Sequence, residues 1–280
     1  MTASHNAPPK TLDRPLEVGP GDWQAREFYL LMTALVIPRP IGWMSTVSAA
    51  GVRNLAPYSY FNLMGSDPFY VAFGSTRVKD TLTNVRETRE FVANIATMHL
   101  LEKMSFTSGD FPREEDEFGW AGLTPAPSAK VRPPRVGEAK AHLECELVQV
   151  VSDGNTNIVL GRIVHAHVDP SVWKDGRVDP RLLDPICRLS GSGYAALGEI
   201  YNLPRPEWKN VKGTTGQEAM PRAAKRAHPR RRARARRVRF RPCRTSARPR
   251  APCESPTSSW RGDRTARRRV PAARATRRTR

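Results

Sequence analysis

The chain predicts a mainly β fold with short peripheral helices, and three observations carry that expectation. Pro38–Asn62 reads as two β-rich runs separated by turn residues. Residues 141–168 read as a second and longer hairpin. The apolar runs between them, Phe69–Gly74 and Phe91–Ala96, are six residues each, the length of buried strands rather than of helices.

Taken in order, residues 1–22 are rich in Pro, Gly and small polar residues and are expected to form an extended arm. Trp23–Leu35 fits a short helix or a strand leading into the first hairpin. There Ile41–Val47 is β-rich, Ser48–Gly51 supplies the turn, and Asn54–Phe61 resumes an apolar and aromatic run. Ser45, Thr46, Asn54, Ser59 and Asn62 bring hydroxyls and amides into strands that need only core residues, which suits a flat ligand with polar edges. Asp67-Pro68 marks a turn. After Phe69–Gly74, the run Ser75-Thr76-Arg77-Val78-Lys79-Asp80-Thr81 leads into a helix with Leu82, Val85 and Arg86 at helical spacing. Asp80 or Thr81 is placed to cap its first turn. A helix N-terminus presents unpaired N–H groups and partial positive charge, so Lys79 with the hydroxyls of Ser75, Thr76 and Thr81 forms a candidate phosphate site. An ordinary capped helix with a solvated lysine accounts for the same residues.

Phe91–Ala96 is the next strand, and a short helix is expected through His99–Phe106. Residues 107–135 form a long connection, in which Glu114-Glu115-Asp116-Glu117 reads as a solvated charge run rather than as paired acid–base groups. Ala141–Val151 alternates like a half-buried strand, Asp153-Gly154-Asn155 turns, and Asn157–Val168 returns. His165 and His167 lie two apart and share a face. No third metal ligand stands convincingly beside them, so contact with a ligand is expected in preference to a metal. Trp173–Gly176 is a turn, and the structured part is expected to end near Trp208. Gly191-x-Gly193-x-x-Ala196 has dinucleotide spacing, but neither a preceding strand nor a βαβ unit accompanies it.

The formal charge of +19 is unevenly placed. Residues 221–280 hold 23 Lys and Arg against two acids, whereas residues 1–220 hold 23 against 25 and are close to neutral. No basic patch is therefore expected on the folded part. The last 60 residues have not one Leu, Ile, Asn, Gln, Tyr or Met, cannot build a core, and are expected to be disordered. A nucleic-acid-binding tail and an out-of-frame translation of a GC-rich gene compete to explain them. The second is preferred, because only Phe240 and Trp260 interrupt the basic run as aromatics, and nucleic acid is not an expected partner. Cys145, Cys187, Cys243 and Cys253 form no CxxC and match no zinc spacing, so buried thiols in a reducing compartment are expected. The opening residues have no apolar core of a signal peptide, and the longest apolar run, Phe28–Ile37, is too short to span a bilayer. A cytoplasmic protein without membrane partners follows as the expectation.

PRPIGWMSTVSAAGVRNLAPYSYFN, then Lys79-Asp80-Thr81 with Asn84, then LGRIVHAHV and LGEIYNLPRP, in that order and spacing, closely resemble the flavin reductase-like FMN-binding proteins. The resemblance covers residues 25–208 and divides the chain into an arm over 1–22, a domain over 23–208 and a tail over 209–280. It implies a β-barrel with peripheral helices, the FMN-binding split barrel of Greek-key type. It also implies a homodimer with FMN at or near the subunit interface, NADH or NADPH as hydride donor, and a monooxygenase or other electron acceptor as partner. Carried over by position, it implies that Ser45, Thr46 and Val47 line the flavin ring. Asn54, Ala56, Ser59, Tyr60, Phe61 and Asn62 approach the ring and ribityl chain. Lys79, Asp80, Thr81 and Asn84 hold the phosphate end, and His167 and Tyr194 reach the flavin or nicotinamide region.

What the resemblance implies chemically is hydride transfer from nicotinamide to flavin. The protein's part is to stack the rings and to place donors around the reduced flavin. That chemistry requires neither a nucleophile nor a metal, and no side chain is expected to be catalytic. An electron carrier or flavin-storage protein without NAD(P)H activity is the alternative.

Overall fold

The computed structural model describes residues 7–214, 217–218, 220–222 and 224–225. One compact unit ends at Ala227, and the segment from His228, which holds most of the basic tail, lies outside the described residues. Seven strands build its sheet: β1 (Gly42–Val47), β2 (Arg53–Tyr58), β3 (Phe61–Leu63), β4 (Tyr70–Thr76), β5 (Glu90–Ile95), β6 (Ala141–Asp153) and β7 (Thr156–Val168). Their order is β2-β1-β5-β6-β7-β4-β3, and every pairing is antiparallel. The two outer strands, β2 and β3, are separated in the chain by Ser59 and Tyr60 alone. A two-residue link spans only about 7–10 Å, so the sheet must curl until its edges meet, as a partly closed barrel.

Both expected hairpins form. β1 pairs β2 from Gly42↔Tyr58 to Val47↔Arg53. Its turn is held by Ser48 N–H on the Val52 carbonyl (2.8 Å) and by Val52 N–H on Ser48 Oγ (3.0 Å), with Gly51 at φ +89° where a side chain would be strained. The expected second strand of this hairpin, Asn54–Phe61, is interrupted at Ser59–Tyr60. Phe61 leaves β1 and pairs across the curl with Phe73 of β4.

Trp23–Leu35 resolves into helix α1 (Ala25–Leu35). Helix α2 (Asp80–Thr88) buries Leu82 and Val85, as the spacing predicts. Neither Asp80 nor Thr81 caps it, because Lys79 takes the N-cap position without a side-chain cap bond. Helix α3 (Leu101–Phe106) follows β5. The long connection after it contains a further short helix, α4 (Glu117–Trp120), capped by Asp116 accepting from Phe118 N–H.

Two apolar clusters lie on either face of the sheet, and strand alternation sorts residues between them. Trp43 and Leu55 join Ile41, Phe118 and Ile186 outside, whereas Met44, Tyr58, Val71, Phe73, Phe91 and Cys145 fill the curl. Leu82 and Val85 belong to the inner cluster, so α2 packs into the barrel. Gly161 makes room there: a Cβ on it would stand 2.3 Å from Cζ of Phe91. No helix among the described residues is long and apolar enough to cross a membrane.

Candidate functional site: a cavity beside the α2 N-terminus

A cavity of about 490 Å³, within the range of small-molecule sites, is lined by four parts of the chain. These are residues 54–60 except Leu55, residues 74–81 with Thr83, residues 107–111, and the single residues Tyr29 and Glu117. β2 and its link to β3 supply one wall, the β4–α2 connection a second, and the segment after α3 a third.

A buried polar network fixes the first wall. Asn54 Nδ2 donates to Glu117 Oε1 (2.6 Å), and Leu55 N–H donates to Glu117 Oε2 (3.0 Å). The amide orientation of Asn54 is thereby set, and its Oδ1 accepts from Thr81 Oγ1 (2.7 Å) and Thr46 Oγ1 (3.2 Å). Asn84 Nδ2 donates to Thr46 Oγ1 (3.1 Å), so hairpin, α2 and α4 are tied through one set of side chains. Burial pushes the Glu117 carboxyl up, against hydrogen bonds from its own backbone, Leu55 and Asn54 that pull it down. Burial likewise raises the Tyr58 hydroxyl.

The second wall is charged. Arg77 sits in the left-handed region at φ 71°, a conformation that costs a non-glycine residue about 1 kcal/mol and is held by two bonds. Its N–H donates to the Asn155 carbonyl (2.7 Å), and its carbonyl accepts from Ser75 Oγ (3.0 Å). Lys79 Nζ lies 3.3 Å from Asp110 Oδ1, and Asp80 pairs with Arg113 at 2.9 Å. The first turn of α2 thus faces the cavity with no capping side chain, flanked by Arg77 and Lys79.

The flavin reductase like domain model matches residues 32–180. The chain belongs to the flavin reductase like domain family. An uncharacterized protein of Halalkalibacterium halodurans is 34% identical over 202 residues, spanning 68% of this chain and 97% of that relative. Component B of nitrilotriacetate monooxygenase from Bacillus cereus superposes with a TM-score of 0.66 at 33% identity, over 69% of this chain and 100% of that one. The Pseudomonas fluorescens 2-nitrobenzoate 2-nitroreductase superposes with a TM-score of 0.63 at 29% identity, over 69% and 98%. The curled sheet is the split barrel of flavin reductases.

Within this flavin reductase fold the cavity gathers Asn54, Ala56, Ser59, Tyr60, Lys79, Asp80 and Thr81 from the sequence-predicted set. The others stand elsewhere. Ser45 is buried and donates to the Pro134 carbonyl (2.5 Å), while Thr46 and Asn84 lie inside the network just described. Val47 ends β1, Phe61 packs on the inner cluster, and exposed Asn62 accepts from Leu63 N–H. His167 Nε2 is 2.5 Å from Oε1 of fully buried Glu144, and Tyr194 lies under the Arg188 guanidinium at 4.4 Å. Sequence reasoning missed Tyr29, residues 107–111 and Glu117 as lining groups. It noted Arg77 in the Ser75–Thr81 run, where the neighbouring Lys79 was the available signal.

Proposed function

We propose that this protein is an NAD(P)H:flavin oxidoreductase whose cavity holds FMN and whose reduced flavin serves a separate electron acceptor. The observation that carries the reading is the uncapped first turn of α2 opening on the cavity between Arg77 and Lys79. Free N–H groups, the helix dipole and two cations together match a phosphate monoester. Thr76 and Ser59 add hydroxyls, and Ala56, Pro57 and Tyr60 add apolar surface for a ring system, so the lining fits a flavin mononucleotide.

FMN, held there by these residues, would supply the redox chemistry that links a nicotinamide donor to the electron acceptor. The chain's own residues bind and orient. Lys79, Arg77 and the α2 amides anchor the phosphate. The Glu117–Asn54–Thr81 network holds β2 against α2 so that the cavity wall is rigid before a ligand arrives. The segment 107–111 lines the cavity next to Lys79.

The Bacillus cereus protein's designation as a monooxygenase component favours an oxygenase as the acceptor. Two copies are proposed to pair through the surface around α1, where Leu35, Val36 and Ile37 are 68%, 65% and 49% exposed in sequence succession. Light scattering should then give the mass of two chains. The free thiols among the described residues, Cys145 and Cys187, are both buried and suit the reducing cytoplasm. Anaerobic mixing of the FMN-loaded protein with NADH and with NADPH tests the activity. Bleaching of the oxidised-flavin absorbance by either donor is expected, and bleaching by neither would overturn the reductase reading.

A further inference from the structure

We propose that Asp110 keeps the bound flavin exchangeable by competing with its phosphate for Lys79. This rests on the reading that the cavity takes FMN with its phosphate beside Lys79. Three acids line the cavity, and two are committed to partners that the phosphate does not need: Asp80 to Arg113, and Glu117 to Asn54 and Leu55 N–H. The third, Asp110, holds Lys79 itself at 3.3 Å.

The segment that carries Asp110 is fixed on both sides of it. Thr107, Ser108 and Gly109 N–H donate to the carbonyls of Lys103, Ser105 and Phe106, continuing the turn of α3. Thr107 Oγ1 also accepts from the Trp43 indole N–H at 2.8 Å. Beyond Asp110, Arg113 bridges Asp80 (2.9 Å) and Glu87 (3.3 Å) on α2. The Asp110 side chain is 87% exposed, so it releases Lys79 by changing rotamer while its backbone stays in place.

An ion pair this exposed is weak, so a phosphate dianion on the α2 amides, Arg77 and Lys79 displaces it. The displaced carboxylate stays one rotamer away. It repels the dianion while the ligand is bound, and it recaptures Lys79 as the phosphate lifts. Both effects lower affinity and speed release, which suits a flavin handed to a second protein rather than held as a fixed group.

The test compares FMN with riboflavin, which has the same ring and ribityl chain without the phosphate. Affinity is read by flavin fluorescence and release by stopped flow, on the full native chain, Asp110→Asn, Lys79→Met and the double variant. Asp110→Asn should bind FMN about three- to tenfold more tightly and release it correspondingly more slowly, with riboflavin unmoved. The gain should shrink in the Lys79→Met background. FMN affinity unchanged or weakened in Asp110→Asn, or riboflavin tightened by the same factor, overturns the proposal alone. Absence of FMN binding by the native chain overturns the flavin reading and the proposal with it.

Discussion

Removal of the Glu117 carboxylate separates a solvated charge run from a buried structural acid. Glu117 is 5% exposed and accepts two hydrogen bonds, from Asn54 Nδ2 at 2.6 Å and Leu55 N–H at 3.0 Å; Asn54 is 8% exposed and Leu55 fully buried. Glu117→Ala leaves both donors in the interior without partners, at about 1–3 kcal/mol each, for a combined loss of about 2–6 kcal/mol. For a folded unit of this size each kcal/mol lowers Tm by about 2–4 °C, so the expected fall is about 4–24 °C. Glu117→Gln keeps the shape and one acceptor and should fall between Glu117→Ala and the native protein. Glu114→Ala, an exposed neighbour in the same acidic run, should stay within about 0.5 kcal/mol of native. Thermal melts followed by circular dichroism decide it. Glu117→Ala and Glu114→Ala melting within about 2 °C of each other would refute the argument. Because Asn54 also orients Thr81, FMN affinity should fall with Tm in the Glu117 series and stay unchanged in Glu114→Ala.

Lys79→Ala should weaken FMN by about 1–3 kcal/mol while leaving riboflavin unaffected, and equal losses for both ligands in a binding titration would remove the phosphate assignment. Burial opposes the Glu144 carboxylate, yet Ala129 N–H, His167 and Lys130 N–H outweigh it and hold its pKa below the ordinary value. A carboxyl lowered in the folded state stabilises above its unfolded pKa of about 4.3 and loses that contribution as pH falls through the folded value. Urea midpoints from pH 7 to 3 should therefore converge between native protein and Glu144→Gln, and a gap constant with pH would count against it. Gly161→Ala should cost about 1–3 kcal/mol by driving a methyl into Phe91, and Phe91→Leu in the same chain should recover part of that loss, so strict additivity of the two denaturation shifts would refute the contact.

The strands were legible because their signals are local. Alternation in Ala141–Asp153 and Thr156–Val168, the Ser48–Gly51 turn, and the six-residue apolar runs each depend on residues within one element. The break at Ser59–Tyr60 was not legible for the opposite reason. Nothing in Tyr58-Ser59-Tyr60-Phe61 stops a strand, and Phe61 changes partner because barrel closure brings it against Phe73. Polar residues in the first hairpin did mark the site, but of the five only Asn54 and Ser59 line the cavity. Thr46 is spent on Asn54, whose amide in turn answers Glu117, Asn84 of α2 is spent on Thr46, and Ser45 is spent on a carbonyl 89 residues away.

Glu117 shows how such a residue escapes notice. In the chain it closes a run of four acids, and a run of acids is ordinarily solvated. In the fold, Asp116 turns that run into a helix by accepting from Phe118 N–H, and Phe118, fully buried in the outer cluster beside Trp43 and Leu55, draws the helix against β2. Glu117 is carried inward by its apolar neighbour and meets the unpaired Leu55 N–H on the strand edge. The carboxylate is therefore buried because Phe118 is, and the pattern Asp-Glu-Phe is where the signal lay: a capping acid, an acid, and a large apolar residue that must go inside.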